Sequence, residues 1–206
     1  MTDALEEQIA YYRARAAEYD SDAYETRPAE WHAEMAALVA AFDDVGWAGR
    51  EVVELAAGTG FWTSRLVASG ASVTALDASP EMLAVAASKS PGVTTVVTDL
   101  LRWSPARTWD GLVACFWLAH VPEAQLASML SAMASAVRPG GVVFVADKAG
   151  GSPNTARVLR DGRPFSVVDE RRPPASWAPR FEAAGFVDVS VSVVGRRFVA
   201  ITGVRR

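Results

Sequence analysis

Between residues 51 and 146, short β-branched runs alternate with helical stretches, and that rhythm leaves few folds open. Glu51–Leu55, Ser72–Leu76, Val93–Val97, Gly111–Trp117 and Val142–Ala146 read as strands. Phe61–Ala68, Pro80–Ser88 and Pro122–Val137 read as helices, the last stopped by Pro139-Gly140-Gly141. Continuous β-branched runs are the signature of strands buried on both faces. Regular β-α-β alternation then requires a parallel sheet with right-handed crossovers. Near the end the rhythm breaks: Phe186–Val194 and Arg197–Val204 flank Gly195 and predict an antiparallel hairpin. The expected fold is α/β, a doubly wound, mostly parallel seven-stranded sheet closed by that hairpin.

Flanking segments complete a single domain over residues 1–206. Residues 1–45 predict two helices, with Tyr11, Tyr12, Ala16 and Tyr19 on one face of the first and Pro28 opening the second. Residues 148–174, rich in Gly, Pro and Arg, predict a long loop, followed by a short helix at Ala175–Ala184.

Composition removes several function classes. A net charge of −4 gives no electrostatic footprint for nucleic acid or an anionic membrane. The pairs Arg171/Arg172, Arg196/Arg197 and Arg205/Arg206 read as solvated strand and loop ends. The single cysteine, Cys115, lies in an apolar run and reads as an inert buried thiol. With no signal-peptide pattern in MTDALEEQIA and no apolar stretch of membrane-spanning length, the expected location is cytoplasmic. The expected partner is a small-molecule acceptor, with no nucleic acid and no membrane, for a monomer or homodimer. No metal site is expected.

In a doubly wound sheet, ligands bind beyond the carboxyl ends of the strands, where strand order reverses. Three carboxylates fall there: Glu54 in strand one, Asp77 closing strand two and Asp99 just after strand three. An acid after strand two can accept both ribose hydroxyl protons, and one after strand three can accept from an exocyclic amine. Together they describe an adenosine pocket. The turn Ala56-Ala57-Gly58-Thr59-Gly60 lets backbone come close to a ligand. A dinucleotide fingerprint would need a third glycine where Thr63 stands, which argues against a nicotinamide-dependent oxidoreductase.

At this point a resemblance becomes specific. Val-Val-Glu-Leu-Ala-Ala-Gly-Thr-Gly (52–60), Val-Thr-Ala-Leu-Asp-Ala-Ser-Pro-Glu-Met-Leu (73–83) and Val-Val-Thr-Asp-Leu (96–100) resemble the first three motifs of class I S-adenosylmethionine-dependent methyltransferases. Trp-Asp-Gly-Leu-Val-Ala (109–114) and Arg-Pro-Gly-Gly (138–141) resemble that family's approach to strand four and turn before strand five. Ala56 departs from the pattern, which has glycine there.

The resemblance implies S-adenosylmethionine as cofactor. Glu54, with Gly58 and Gly60 nearby, would organise its amino group, and Ala56 would line the same turn. Asp77 and Ala78 would hold the ribose, Met82 would pack on the adenine, Asp99 and Leu100 would bind the ring, and Phe116 would face the methionine end. The stretch from Tyr11 to Asp20 resembles the lid helix of the small-molecule type found in quinone biosynthesis, so Tyr11 and Tyr19 are expected over the cofactor.

Methyl transfer mainly needs alignment of donor and acceptor, with a base only if the acceptor carries a proton. His120, just after strand four, is the expected general base; its ordinary pKa suits proton removal near neutrality. Tyr12, His32, Trp117 and Asp147 are the expected acceptor-side residues, and residues 157–168 fall where related enzymes vary for substrate. Trp31, Trp62 and Phe165 are further aromatic candidates for that pocket. The expected reaction is O- or N-methylation of a small organic molecule. The alternative is an S-adenosylmethionine-binding protein that does not methylate, such as a repurposed cyclase or a partner subunit.

Overall fold

The computed structural model describes residues 2–206. Helices α1 (Thr2–Arg15) and α2 (Ala29–Asp43) lead into β1 (Glu51–Leu55), α3 (Phe61–Ala68), β2 (Ser72–Asp77), α4 (Pro80–Lys89), β3 (Thr94–Val97) and β4 (Trp109–Cys115). Then come α5 (Glu123–Ala136), β5 (Val137–Lys148), β6 (Ala156–Val158), β7 (Pro164–Ser166), α6 (Trp177–Ala183), β8 (Phe186–Val194) and β9 (Phe198–Arg205). The main sheet runs β3-β2-β1-β4-β5-β9-β8. Pairs from β3 to β5 are parallel, while β5–β9 and β8–β9 are antiparallel. The seven-stranded, hairpin-closed α/β sheet expected from the alternation is therefore the observed fold.

Strand order reverses between β1 and β4, so the crevice for a ligand opens above that pair. Each face of the sheet buries its own apolar layer. On one side α5 and α6 cover Val53, Leu55, Leu112 and Val145 with Leu130, Met133, Trp177 and Phe181. On the other, α2 and α3 cover Val52, Val113 and Phe144 with Leu38, Phe42, Trp62 and Leu66. Burying β1 and β4 on both faces fixes the height of the crevice floor.

Several expectations shift in detail. Strand β4 stops at Cys115 because Phe116 takes a left-handed φ of 58°. Helix α5 ends at Ala136, and Pro139-Gly140-Gly141 falls inside β5 rather than terminating a helix. There the β4–β5 register slips between Trp109 and Gly111. Edge strand β3 is exposed along its length, not buried on both faces. The first helical region is interrupted, with a π-helical turn at Ser21–Glu25 between α1 and α2. Within residues 148–174, read as loop, β6 and β7 form a small antiparallel hairpin that packs its Phe165 on Tyr11.

The arginine pairs are not simply solvated. Arg172 is 4% exposed and donates to the carbonyls of Leu118 and Val121, both at 2.8 Å. Arg205 donates to the carbonyls of Ala134 and Gly185. Guanidinium groups can saturate carbonyls left over at turns and helix ends, a use that charge pairing in the sequence does not reveal.

Candidate active site

A cavity of about 260 Å³ sits above the carboxyl ends of β1, β2 and β4. Its floor is the β1–α3 turn. Ala56 and Gly58 both take φ 55°, and Ala57 donates its N–H to Leu76 across the sheet. The left-handed conformation at Ala56 is the one glycine adopts without steric cost, which is the physical content of the departure at this position. Gly60, with φ 83°, begins α3, and a Cβ there would meet the Ala86 backbone at 2.8 Å. That glycine lets α3 and α4 approach; it does not line the cavity.

Asp77 closes β2 at the cavity wall. Its Oδ2 accepts from the Gly58 N–H and its Oδ1 from the Ser79 N–H, both at 2.9 Å. Burial pushes its pKa up, partly opposed by these amides. Ser79 caps α4 by accepting from the Met82 N–H, which seats Met82 and Ala78 against the cavity. Asp99 accepts from the Leu101 N–H at 3.0 Å, opening the 3-10 turn that carries Leu100. Asp77, Ala78, Met82, Asp99 and Leu100 thus line one end, brought together by the neighbouring ends of β2 and β3.

Glu54 is different. It is 1% exposed, lies below the cavity wall, and accepts from Thr63 Oγ1 at 2.6 Å. Burial raises its pKa to about 8.

At the opposite end stand Phe116, Trp117 and His120, with Tyr12 and Tyr19 arriving from the amino-terminal region. Phe116 is held in its left-handed conformation by a 2.7 Å bond from its N–H to the Ala146 carbonyl. A bulky residue at such φ costs of order 1–3 kcal/mol and recurs at functional sites. The Leu118–His120 turn is clamped from two sides: Arg172 donates to the carbonyls of Leu118 and of Val121 just after it, and Asp147 Oδ2 accepts from the Ala119 N–H at 2.8 Å. Asp147 therefore orients the histidine turn and does not line the cavity.

His120 is 7% exposed, and burial lowers its pKa to about 4. Its Nδ1 is 2.5 Å from the Val168 carbonyl, and its Nε2 is 2.9 Å from the Tyr12 hydroxyl. Burial also raises the Tyr12 pKa. Both rings are therefore neutral at ordinary pH.

Not every expected residue reaches this place. Tyr11 packs on the β6–β7 hairpin, accepts from Arg15 at 2.9 Å and lines a second groove. His32 is exposed on α2 beside Trp31, and Trp31 packs on Phe198. Conversely, Gln8, Tyr24, Thr59, Trp62 and Cys115 line the cavity, though none was among the expected contacts to cofactor. Burial pushes the Cys115 thiol up, which keeps it protonated. The indole N–H of Trp62, 4% exposed, has no hydrogen-bond partner among the described residues. Spacing carried no signal for Arg172 or Gln8, because their partners are more than 40 positions away.

This geometry defines a doubly wound transferase-type site: acids after β2 and β3 at one end, an aromatic and histidine wall at the other. A family profile described as "Methyltransferase domain" matches residues 52–141. A solved structure described as "DhpI-SAH complex structure" is 37% identical, with a TM-score of 0.87 over 98% of this chain and 97% of that one. The demethylmenaquinone methyltransferase of Tropheryma whipplei (strain Twist) is 31% identical over 48% of this chain and 42% of its own. The ubiquinone biosynthesis O-methyltransferase of Xylella fastidiosa (strain 9a5c) is 33% identical over 47% and 41%. The match thus spans about two fifths of the length of these curated relatives. The chain belongs to the class I S-adenosylmethionine-dependent methyltransferases.

S-adenosylmethionine is the family's cofactor, and the residues present fit it. The acids at the β2 and β3 ends can accept hydroxyl and amine protons, and Trp62, whose indole N–H has no partner among the described residues, lines the same cavity.

Proposed function

We propose that this protein transfers a methyl group from S-adenosylmethionine to an oxygen of a small organic acceptor. When bound, the cofactor supplies an electrophilic methyl carbon already activated by positive sulfur. Asp77 would accept from the ribose hydroxyls, Asp99 and Leu100 would hold the adenine beside Met82, and the Ala56–Gly60 turn would leave room for the methionine end. Glu54 supports that end through Thr63 and the α3 start. Helix α1 is the lid, and residues 148–174 shape the acceptor side.

The carrying observation is His120: a neutral, clamped imidazole lining the same cavity as Asp77 and Asp99. Its basicity favours oxygen over nitrogen. Methylating an amine yields an ammonium with a pKa of about 10, far too weak an acid to protonate a histidine near 4. An oxygen bonded at once to a proton and a new methyl group is a very strong acid, so even a weak base removes its proton. Oxygen acceptors also agree with the O-methyltransferase of Xylella fastidiosa among its relatives. The absence of a basic surface is consistent with a small acceptor.

Incubation with isotopically labelled donor and a panel of phenols, alcohols, carboxylic acids and amines tests the reading. Methylated oxygen in the product, found by mass spectrometry, is the expected result. Donor binding without methylation of any acceptor defeats it, and exclusive amine methylation defeats the choice of oxygen.

A further inference from the structure

The lid helix is more than a cover. Gln8 and Tyr12 stand four residues apart on α1, so they share one face, and both act on His120. Gln8 Oε1 accepts from the Val168 N–H at 3.0 Å. The carbonyl of that same Val168 residue faces His120 Nδ1. A carbonyl oxygen can only accept, so Nδ1 carries the proton in the neutral ring and Nε2 carries the lone pair. Tyr12, facing Nε2 at 2.9 Å, must then be the donor. The basic nitrogen of His120 is already taken by a phenol that belongs to the lid.

We propose that the acceptor's proton reaches His120 through Tyr12, which contacts the acceptor directly, while Gln8 is a positioning residue that fixes the histidine tautomer through residue 168. This rests on the O-methylation reading above. In the step, the acceptor oxygen bonds the methyl carbon as the carbon–sulfur bond breaks. Its proton passes to the Tyr12 oxygen while the Tyr12 proton passes to Nε2. The products are the methylated acceptor, a neutral thioether and an imidazolium; Tyr12 ends as it began.

The surroundings suit a transient imidazolium rather than a resting one. Lys148 on β5 and Arg157 on β6 oppose positive charge at His120, and Asp169 favours it. Tyr11 and Tyr19 surround Tyr12 with further phenol rings at 5.2 and 6.1 Å, and Arg15 and Arg157 also face it. No carboxylate bonds to either member of the Tyr12–His120 pair among the described residues.

Tyr12→Phe and His120→Asn are compared singly and together, each with its donor Kd and its kcat. A relay predicts that each single change lowers kcat about a hundredfold with donor Kd unchanged. The double change should then be no slower than the slower single one. In the free protein, ¹⁵N NMR should show His120 protonated on Nδ1. Gln8→Ala should shift that signal toward a tautomer mixture and move the acid limb of the kcat profile. Gln8→Glu, which keeps an acceptor for the Val168 N–H, should restore both. Tyr12→Phe that turns over as fast as the parent, or faster, overturns the relay and leaves His120 as a direct base. Multiplying single effects, or protonation at Nε2, overturns it too. A parent protein that binds donor and methylates nothing overturns the O-methylation reading itself, and the relay with it.

Discussion

The two ends of the cavity are held by different kinds of bond. At the donor end, neighbouring strand ends and the turns that follow them bond mainly through backbone. Gly58 and Ser79 give their N–H groups to Asp77, Ala57 bonds to Leu76, and Thr98 to Asp77. At the acceptor end, side chains reach across long stretches of sequence. Tyr12 meets His120, Gln8 and Glu7 hold the Val168 and Ser166 N–H groups, and Arg160 pairs with Asp22 and Glu18. One end is set by the topology of the sheet; the other is assembled by docking α1 and the 148–174 segment on top of it. Side-chain latches on exposed surfaces are individually weak, and the Arg160 pairs with Glu18 and Asp22 are of that kind.

The largest effect should come from the donor end. Gly60→Ala combines a left-handed φ with a Cβ 2.8 Å from backbone, and should cost about 3 kcal/mol of stability, read as a lowered urea midpoint. A change below about 0.5 kcal/mol would show that α3 and α4 separate freely and that this end is no more rigid than the other.

Next, Asp77→Ala should weaken donor binding roughly a hundredfold by calorimetry, since it strips the bonds to two turn N–H groups along with the proposed ribose contacts. Equal damage from His120→Asn would erase the division of labour between the two ends.

Acid and base should then separate the ends in stability. Glu54 keeps its proton up to about pH 8 in the native protein but releases it near 4.5 when unfolded. In that window the native state binds more protons, so rising pH destabilises the donor-free protein; Glu54→Gln should flatten the fall in Tm from pH 5 to 8. His120 works the other way. Its native pKa of about 4 lies below the unfolded 6.5, so stability falls as pH drops through that interval, and His120→Asn should remove this part of the acid loss.

The smallest effect belongs to the latch. Arg160→Ala should cost under about 1 kcal/mol, and the difference should fade in high salt because its partners Glu18 and Asp22 are on the surface. A large, salt-insensitive loss would mean that the Arg160 pairs are part of the packed core rather than a surface latch.

The same contrast governs what could be read in advance. Strand runs, the Ala56–Gly60 turn and the acids Asp77 and Asp99 are local patterns, and the structure places Asp77, Met82, Asp99 and Leu100 along one wall. Gly60 was legible as a glycine that matters, but its reason is the approach of Ala86, a contact between helices. Asp147 was expected to meet the acceptor, and Arg172 was visible only as one of a pair of charges near a loop end. Both turn out to clamp the His120 turn, because a 3-10 turn leaves amides and carbonyls that some buried ion must satisfy.

By itself, then, the sequence determined the strand and helix alternation, its closing hairpin and the acids at the strand ends, because period, turn chemistry and residue type act over a few positions; the reversal between β1 and β4 came from the tertiary structure. Only the tertiary structure decided the acceptor wall. Tyr12 and His120 lie 108 positions apart, and Gln8 and Val168 lie 160 apart. No local pattern encodes such pairs. They exist because α1 docks over the crevice, and that docking fixes which nitrogen of His120 carries its proton.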